Sequence, residues 1–336
     1  MVYVTMNDLA AAVLWSFPVS FLCSGAVLWF GHKFSLVDTP TERSSHVVPT
    51  PRGAGIGIWM AFMIIGLFIV REVSFTSIAA VIGLLGFFED RWTLSYKTRL
   101  FIQMTAAASM VYLIRGVPLS PPAILVFMCW MIFISGTANY YNFMDGINGI
   151  AGLTGLIGFA LLMVFSGSVL HESETATISL TLSSACLGFL PLNFPRAKVF
   201  MGDVGSLFLG FTFASCVARL SSNINIFLCL IMFLCTFYAD ATVTIFHRYR
   251  RGEHLMTAHR SHLYQYMSNE LGLPHWGVAL MYAFVQLVFG LLAVLAYHEG
   301  FKWQLAVFFT FSVLFLISYR RIKNIRPGSL NRNFII

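Results

Sequence analysis

Apolar runs long enough to cross about 30 Å of hydrocarbon recur from one end of this chain to the other. Eleven can be marked, at about 9–30, 54–70, 75–88, 100–115, 122–140, 150–170, 176–193, 206–220, 224–246, 277–297 and 302–319. The third and eighth are short for a full crossing. Only 10% of the 336 residues are charged and 58% are hydrophobic, whereas about a quarter of an average soluble chain is charged. A segment in lipid must satisfy its own backbone hydrogen bonds, and runs of this length do so as helices. The expected fold is all-α, a polytopic transmembrane helical bundle of about 10–11 spans. It forms one membrane domain over residues 1–336 and ends in a basic tail at 320–336. No basic segment precedes the first run and no small-residue cleavage site follows it, so a removable signal peptide is not expected.

Eleven spans place the termini on opposite sides, and the 21 Lys and Arg residues then choose the orientation. With the C-terminus inside, the outer side keeps only Arg71, Arg115, Arg219 and Lys302, and all the others lie inside. Cytoplasmic loops are the ones enriched in Lys and Arg, so the expected topology is N-out, C-in. The net charge of +7 follows from this bias and from attraction to anionic lipid headgroups. Nucleic acid is not an expected partner, because no recognition module is present. The six cysteines all fall inside apolar runs, as small buried hydrophobes commonly do.

Polar chemistry gathers in the five inner segments. They read VDTPTERSSHVVPTPRGAG (37–55), FFEDRWTLSYKTRLFIQ (87–103), NYYNFMDGINGIAG (139–152), NFPRAKVFMGDVGS (193–206) and HRYRRGEHLMTAHRSHLYQ (247–265). The third is a glycine-rich, amide-rich break between two apolar runs, with Asp145 as its one carboxylate. Irregular backbone is tolerated at a membrane only where protein or a water-filled cavity satisfies it. Five such segments facing one compartment are what a single site assembled from loops requires.

Glu89, Asp90, Asp145 and Asp203 all belong to this face. Hard cations such as Mg²⁺ take oxygen ligands, usually one or two carboxylates together with substrate phosphates. Lys97, Arg99, Lys198, Arg248, Arg250, Arg251 and Arg260 share the face, and carboxylates mixed with such cations fit Mg²⁺-assisted phosphoryl chemistry. Ordinary positive-inside bias accounts for most of these basic residues. His259 and His262 are spaced i, i+3 and would align on a helix, where they could bind a metal or donate to phosphate. No HExxH pattern is present to support a zinc protease. Asp240, late in the ninth run, is a functional candidate by its place in a span and equally a helix-contact residue. The glycines of GAGIG (53–57) follow no strand, so close helix packing explains them better than a dinucleotide loop.

In order and in content, these motifs resemble the polyprenyl-phosphate N-acetylhexosamine-1-phosphate transferase family. The matching pieces are D-x-P-x-x-R-x-x-H from Asp38 to His46 with PTPRGAG, the acidic pair Glu89-Asp90, and N-x-x-D-G-x-x-G from Asn142 to Gly149. FMGDVGS from Phe200 to Ser206, Asp240, and AHRSH from Ala258 to His262 complete them. The resemblance implies that undecaprenyl phosphate attacks the β-phosphate of a UDP-N-acetyl amino sugar at the bacterial inner membrane, releasing UMP. It also implies Mg²⁺, with Mn²⁺ as a substitute, and is compatible with a homodimer among membrane lipids. By motif position Asp203 is the main metal ligand, joined by Asp145. Asn142 and Asn148 line the nucleotide pocket and Phe200 stacks on the uracil. Lys97, Lys198, His259, Arg260 and His262 hold phosphate or sugar. The catalytic carboxylates are Glu89, Asp90 and Asp145: the first position of the acidic pair is the base or a covalent nucleophile, and with Glu standing there in place of Asp, Asp90 is favoured over Glu89.

Glu89 departs from the family pattern, standing in place of Asp. Two further departures point away from the peptidoglycan branch and towards O-antigen or exopolysaccharide initiators: Asn148 stands in place of a second Asp, and AHRSHLYQ replaces a triple-His element. AHRSHxYQ also resembles the branch associated with 6-deoxy sugars. Two other readings are weighed against this one. CDP-alcohol phosphatidyltransferases need Ala-Arg after the DG and a further D-x-x-x-D, which this chain lacks. A secondary transporter is disfavoured by the absence of an internal repeat.

Overall fold

The computed structural model of the protein describes residues 6–40, 45, 48–92, 94–254 and 260–325. The eleven apolar runs are all helical. The first eight are α1 (Met6–Phe30), α2 (Ile56–Phe68), α3 (Val73–Arg91), α4 (Tyr96–Arg115), α5 (Pro121–Phe143), α6 (Ile150–Val164), α7 (Ser173–Asn193) and α8 (Gly202–Leu220). The ninth is broken into α9 (Ile224–Ile231) and α10 (Cys235–Arg250) by a tighter turn at Met232–Leu234. A short turn, α11 (Leu263–Gln265), precedes the last two runs, α12 (His275–Glu299) and α13 (Phe301–Lys323). Two residues each of β1 (Val37–Asp38) and β2 (Thr50–Pro51) pair antiparallel.

Nine helical stretches among the described residues are long and apolar enough to cross a membrane, which makes this a multi-pass membrane protein. The two runs that fall short are not the expected ones. Helix α2 has 13 residues and rises about 20 Å at 1.5 Å per residue. Helix α4 opens on Tyr96-Lys97-Thr98-Arg99 and carries Gln103. The third and eighth runs, short by hydropathy, are 19-residue helices. Their extra turns are Phe87–Arg91 and Gly202–Gly205, which hold polar residues and glycines that hydropathy discounts but a helix accommodates.

Helix α8 forms the centre, with 89% of its crossing segment buried inside the protein against 11% for the peripheral α13. Its neighbours α2, α3 and α5 approach it through glycines. A Cβ on Gly55 would lie 2.4 Å from Cα of Gly205, and one on Gly86 would lie 2.3 Å from the Asp203 carbonyl oxygen. Helices in lipid associate largely through such close packing and through interhelical hydrogen bonds. The GAGIG glycines are therefore packing residues, with Gly57 against the Ser20 carbonyl of α1. Small polar residues add the bonds: Ser20 Oγ donates to Ala185 O at 2.7 Å, and Ser183 Oγ donates to Leu156 O at 2.9 Å.

The two ends of the bundle differ in chemistry. At one, Arg219 pairs with Glu72 at 3.2 Å, with Glu172 at 3.7 Å and with Glu174. Beside it Arg115 donates to the carbonyls of Ala218 and Ser221. At the other end the polar motifs converge.

Candidate active site

The site is organised by the first turn of α8. A helix start leaves N–H groups without intrahelical partners and carries a partial positive charge. Here a carboxylate from the end of α3 meets them. Asp90 Oδ1 accepts from Asp203 N at 3.0 Å, and Oδ2 accepts from Val204 N at 3.1 Å. Arg52 adds Nε and Nη2 to Oδ1 at 3.0 and 2.8 Å. A buried carboxylate is tolerated only when paired and hydrogen-bonded in this way, and no part of the Asp90 side chain is exposed. The segment before α8 is held by the 50–55 loop, because Phe200 N donates to Pro51 O while Ala54 N and Gly55 N donate to Phe200 O and Met201 O.

The amide-rich insert is less irregular than its composition implies. Helix α5 continues to Phe143, so only residues 144–149 break the helices. Asn139 and Asn142 are satisfied from outside the insert. Asn139 Nδ2 donates to Gln103 Oε1 at 2.6 Å, and Asn142 Nδ2 donates to Asp203 Oδ1 at 2.9 Å and to Ser206 Oγ at 3.0 Å. Asn193 ties the insert to the α7–α8 segment, accepting from Gly149 N and donating to Val199 O, both at 2.8 Å.

These contacts enclose a cavity of about 280 Å³ lined by Asn142, Asp145, Asn148, Phe200 and Asp203, with Asp38, Ser45, Arg52, Asn193, Gln265 and His275 among the remaining walls. Ligand clefts start at about this size. Burial, then the charges of Asp203 and Asp90, push the Asp145 carboxyl up to about 7. Among the described residues no cation pairs with it. Beside the cavity, Glu89 Oε2 accepts from Arg99 Nη1 at 3.2 Å, and the same nitrogen lies 4.0 Å from Asp203 Oδ2. Among the described residues the buried Glu89 Oε1 has no hydrogen-bond partner.

Five expected site residues thus share one cavity: Asn142, Asp145, Asn148, Phe200 and Asp203. Glu89 and Asp90 stand behind its wall. Lys97 and Lys198 are exposed and line no part of it. Arg260 is also outside its lining and lies 3.7 Å from Glu270. Long cationic side chains at loop edges extend to water, so sharing a motif did not bring these three inward. His259 lies outside the described residues. Sequence reading placed Arg99 on this face but passed over Arg52, Asn193, Gln265 and His275. Arg52 sat within a quoted motif, whereas nothing in the sequence pointed to His275.

His262 is buried under Asp240, its Nδ1 3.5 Å from Oδ1. Asp240 also accepts from Leu263 N at 2.9 Å, from Tyr264 N at 3.2 Å and from the Tyr282 hydroxyl at 2.7 Å. It pins the 262–265 turn, and hence Gln265, against α10 and α12. That is the helix-contact role. Tyr282→Phe should cost about 1–2 kcal/mol of stability by removing one bond to a buried charge, read as a lower melting temperature in detergent with turnover retained.

Among the described residues no group of three or more His, Cys, Asp or Glu side chains stands at metal-binding range. A Mg²⁺ ion needs only one or two carboxylates besides substrate phosphates. Asp145 and Asp203 meet that need. They share a cavity, they repel one another, and no protein cation relieves Asp145.

The pattern of the family described as "Glycosyl transferase family 4" matches residues 72–221, from the start of α3 to the end of α8. The decaprenyl-phosphate N-acetylglucosaminephosphotransferase of Mycolicibacterium smegmatis is 28% identical, covering 97% of this chain and 91% of that one. The probable undecaprenyl-phosphate N-acetylglucosaminyl 1-phosphate transferase of Bacillus subtilis is 27% identical over 90% of this chain and 87% of its own. The phospho-N-acetylmuramoyl-pentapeptide-transferase of Staphylococcus aureus is 33% identical, but over 33% of each chain. The matched segment carries Glu89, Asp90, Asn142, Asp145 and Asp203, and polyprenyl-phosphate phosphotransferases are similar over nearly the whole length, so the chain is similar to glycosyl transferase family 4 over residues 72–221 and to such phosphotransferases beyond them.

Proposed function

We propose that this enzyme transfers an N-acetylhexosamine 1-phosphate from a UDP-sugar to undecaprenyl phosphate, releasing UMP at the cytoplasmic face of a bacterial inner membrane. The observation that carries the reading is the Asn142–Asp145–Asp203 cavity at one end of a membrane bundle, next to Glu89, whose buried Oε1 has no partner among the described residues. A lipid acceptor and a water-soluble donor meet only at such an edge. The positive-inside asymmetry supports the N-out, C-in orientation.

In the proposed reaction an oxygen of the lipid phosphate attacks the donor β-phosphorus, and the bond from that phosphorus to the UMP oxygen breaks. One phosphoanhydride replaces another, so catalysis is chiefly positioning and charge neutralisation. Glu89, oriented by Arg99, takes the acceptor's proton. Asn142 holds Asp203, and Phe200 offers a ring face to the uracil. Asp203 and Asp145 are the residues that would hold Mg²⁺, which supplies neutralisation of the donor diphosphate when bound.

The names of the long-range relatives favour an N-acetylglucosamine donor, while AHRSHLYQ favours a 6-deoxy sugar. An initiating role in O-antigen or exopolysaccharide synthesis accommodates both. Membranes containing the enzyme, given undecaprenyl phosphate, should release UMP from UDP-GlcNAc, UDP-FucNAc or UDP-QuiNAc, with one donor clearly preferred. EDTA should stop the release and Mg²⁺ should restore it. No UMP from any donor, or release indifferent to EDTA, would remove the reading.

A further inference from the structure

The cavity is short of positive charge. Asp38, Asp145 and Asp203 line it, and Arg52 is the one Lys or Arg among its described lining residues. A nucleoside diphosphate brings further negative charge, and a single divalent ion held by two of those carboxylates leaves the balance negative. Lys97 and Lys198 are exposed and outside the lining, Arg260 lies 3.7 Å from Glu270, and Arg99 is nearer Glu89, at 3.2 Å, than Asp203, at 4.0 Å.

Arg52 is built for the task. Its Nε and Nη2 both lie on Asp90 Oδ1, which fixes the plane of the guanidinium. Nη1 has no protein partner among the described residues. The Arg52 side chain is 30% exposed, whereas that of Asp90 is fully buried. Its backbone is fixed as well, with Arg52 N donating to Leu36 O at 3.0 Å and Gly53 following at φ +87°. A guanidinium fork oriented in advance suits phosphate oxygens. Asp90, for its part, has both oxygens engaged by Arg52 and the first N–H groups of α8, which is poor preparation for taking a proton.

We propose that Arg52 binds the diphosphate of the donor nucleotide and that Asp90 is its positioning residue. This rests on the cavity being the UDP-sugar site. Binding of UDP and of uridine to the full-length protein in lipid nanodiscs, with Mg²⁺ present, separates the two ideas. The wild type should bind UDP more tightly than uridine. Arg52→Met should weaken UDP about 10- to 100-fold, the loss expected for charge-assisted hydrogen bonds, and change uridine by less than about threefold. Arg52→Lys should recover part of the UDP affinity. Asp90→Asn keeps an acceptor for α8 but loses the charge on Arg52, so it should weaken UDP more than uridine.

An equal loss of both ligands in Arg52→Met would make Arg52 purely structural and overturn the assignment. So would unchanged UDP binding, or Arg52→Lys no better than Arg52→Met. Asp90→Asn that abolishes turnover with UDP affinity intact would instead give Asp90 the role of base. Failure of the wild type to bind either ligand would instead remove the donor reading on which the inference stands.

Discussion

Asp203→Asn should lower UMP release by about a hundred- to a thousandfold, the usual consequence of removing one preorganised charge-stabilising group. The substitution is nearly isosteric and leaves the backbone bond from residue 203 to Asp90 intact. The amide still offers Asn142 an acceptor in place of Oδ1. The fold therefore has no reason to change, and the melting temperature in detergent should stay within a few degrees of the wild type. What disappears is the negative charge that faces Asp145 across the cavity, and with it half of the pair available to a divalent ion. Turnover near the wild-type level would exclude Asp203 from that role and leave Asp145 to act alone.

Gly202→Ala should destabilise the protein by about 2–5 kcal/mol and abolish activity. Two costs add at this position. The residue holds φ +73°, where a side chain costs roughly 1–2 kcal/mol. The new Cβ would also lie 2.4 and 2.7 Å from the two Asp90 oxygens and 2.7 Å from Gly53 N, and such overpacking adds about 1–3 kcal/mol. Relief would require Asp90 to leave the start of α8, exposing N–H groups in a buried setting. Gly116 is the internal control. It has φ +74° but nothing within 4 Å, so Gly116→Ala should show the backbone cost alone. Thermal unfolding of the two variants side by side measures the difference, and equal shifts would show that the Asp90 contact contributes nothing.

Much of the fold was legible without coordinates. Hydropathy located all eleven helical runs, because lipid leaves a backbone few alternatives. It misjudged lengths where helices pass through polar or glycine residues, at Phe87–Arg91 and Gly202–Gly205. The cavity was half legible. Asn142, Asp145, Asn148 and Asp203 stood out because each needs a polar partner that apolar runs cannot offer, and the family resemblance added Phe200. Lys97, Lys198 and Arg260 could not be sorted in this way. A cation near a membrane edge looks the same in sequence whether it turns inward or follows the water, as the choice depends on which carboxylate stands opposite.

The sequence by itself determined that this protein is a multi-span helical bundle with its chemistry in five separated segments, because period, length and polarity are local properties. Only the tertiary structure decided what each carboxylate does. Asp90 and Asp203 lie far apart along the chain and look alike in it. One is consumed in holding the first turn of α8, and the other is presented by that turn to the cavity. That division follows from where α3 ends against α8 and from the reach of Arg52. Such contacts between distant segments are fixed by packing, which no stretch of the chain encodes alone.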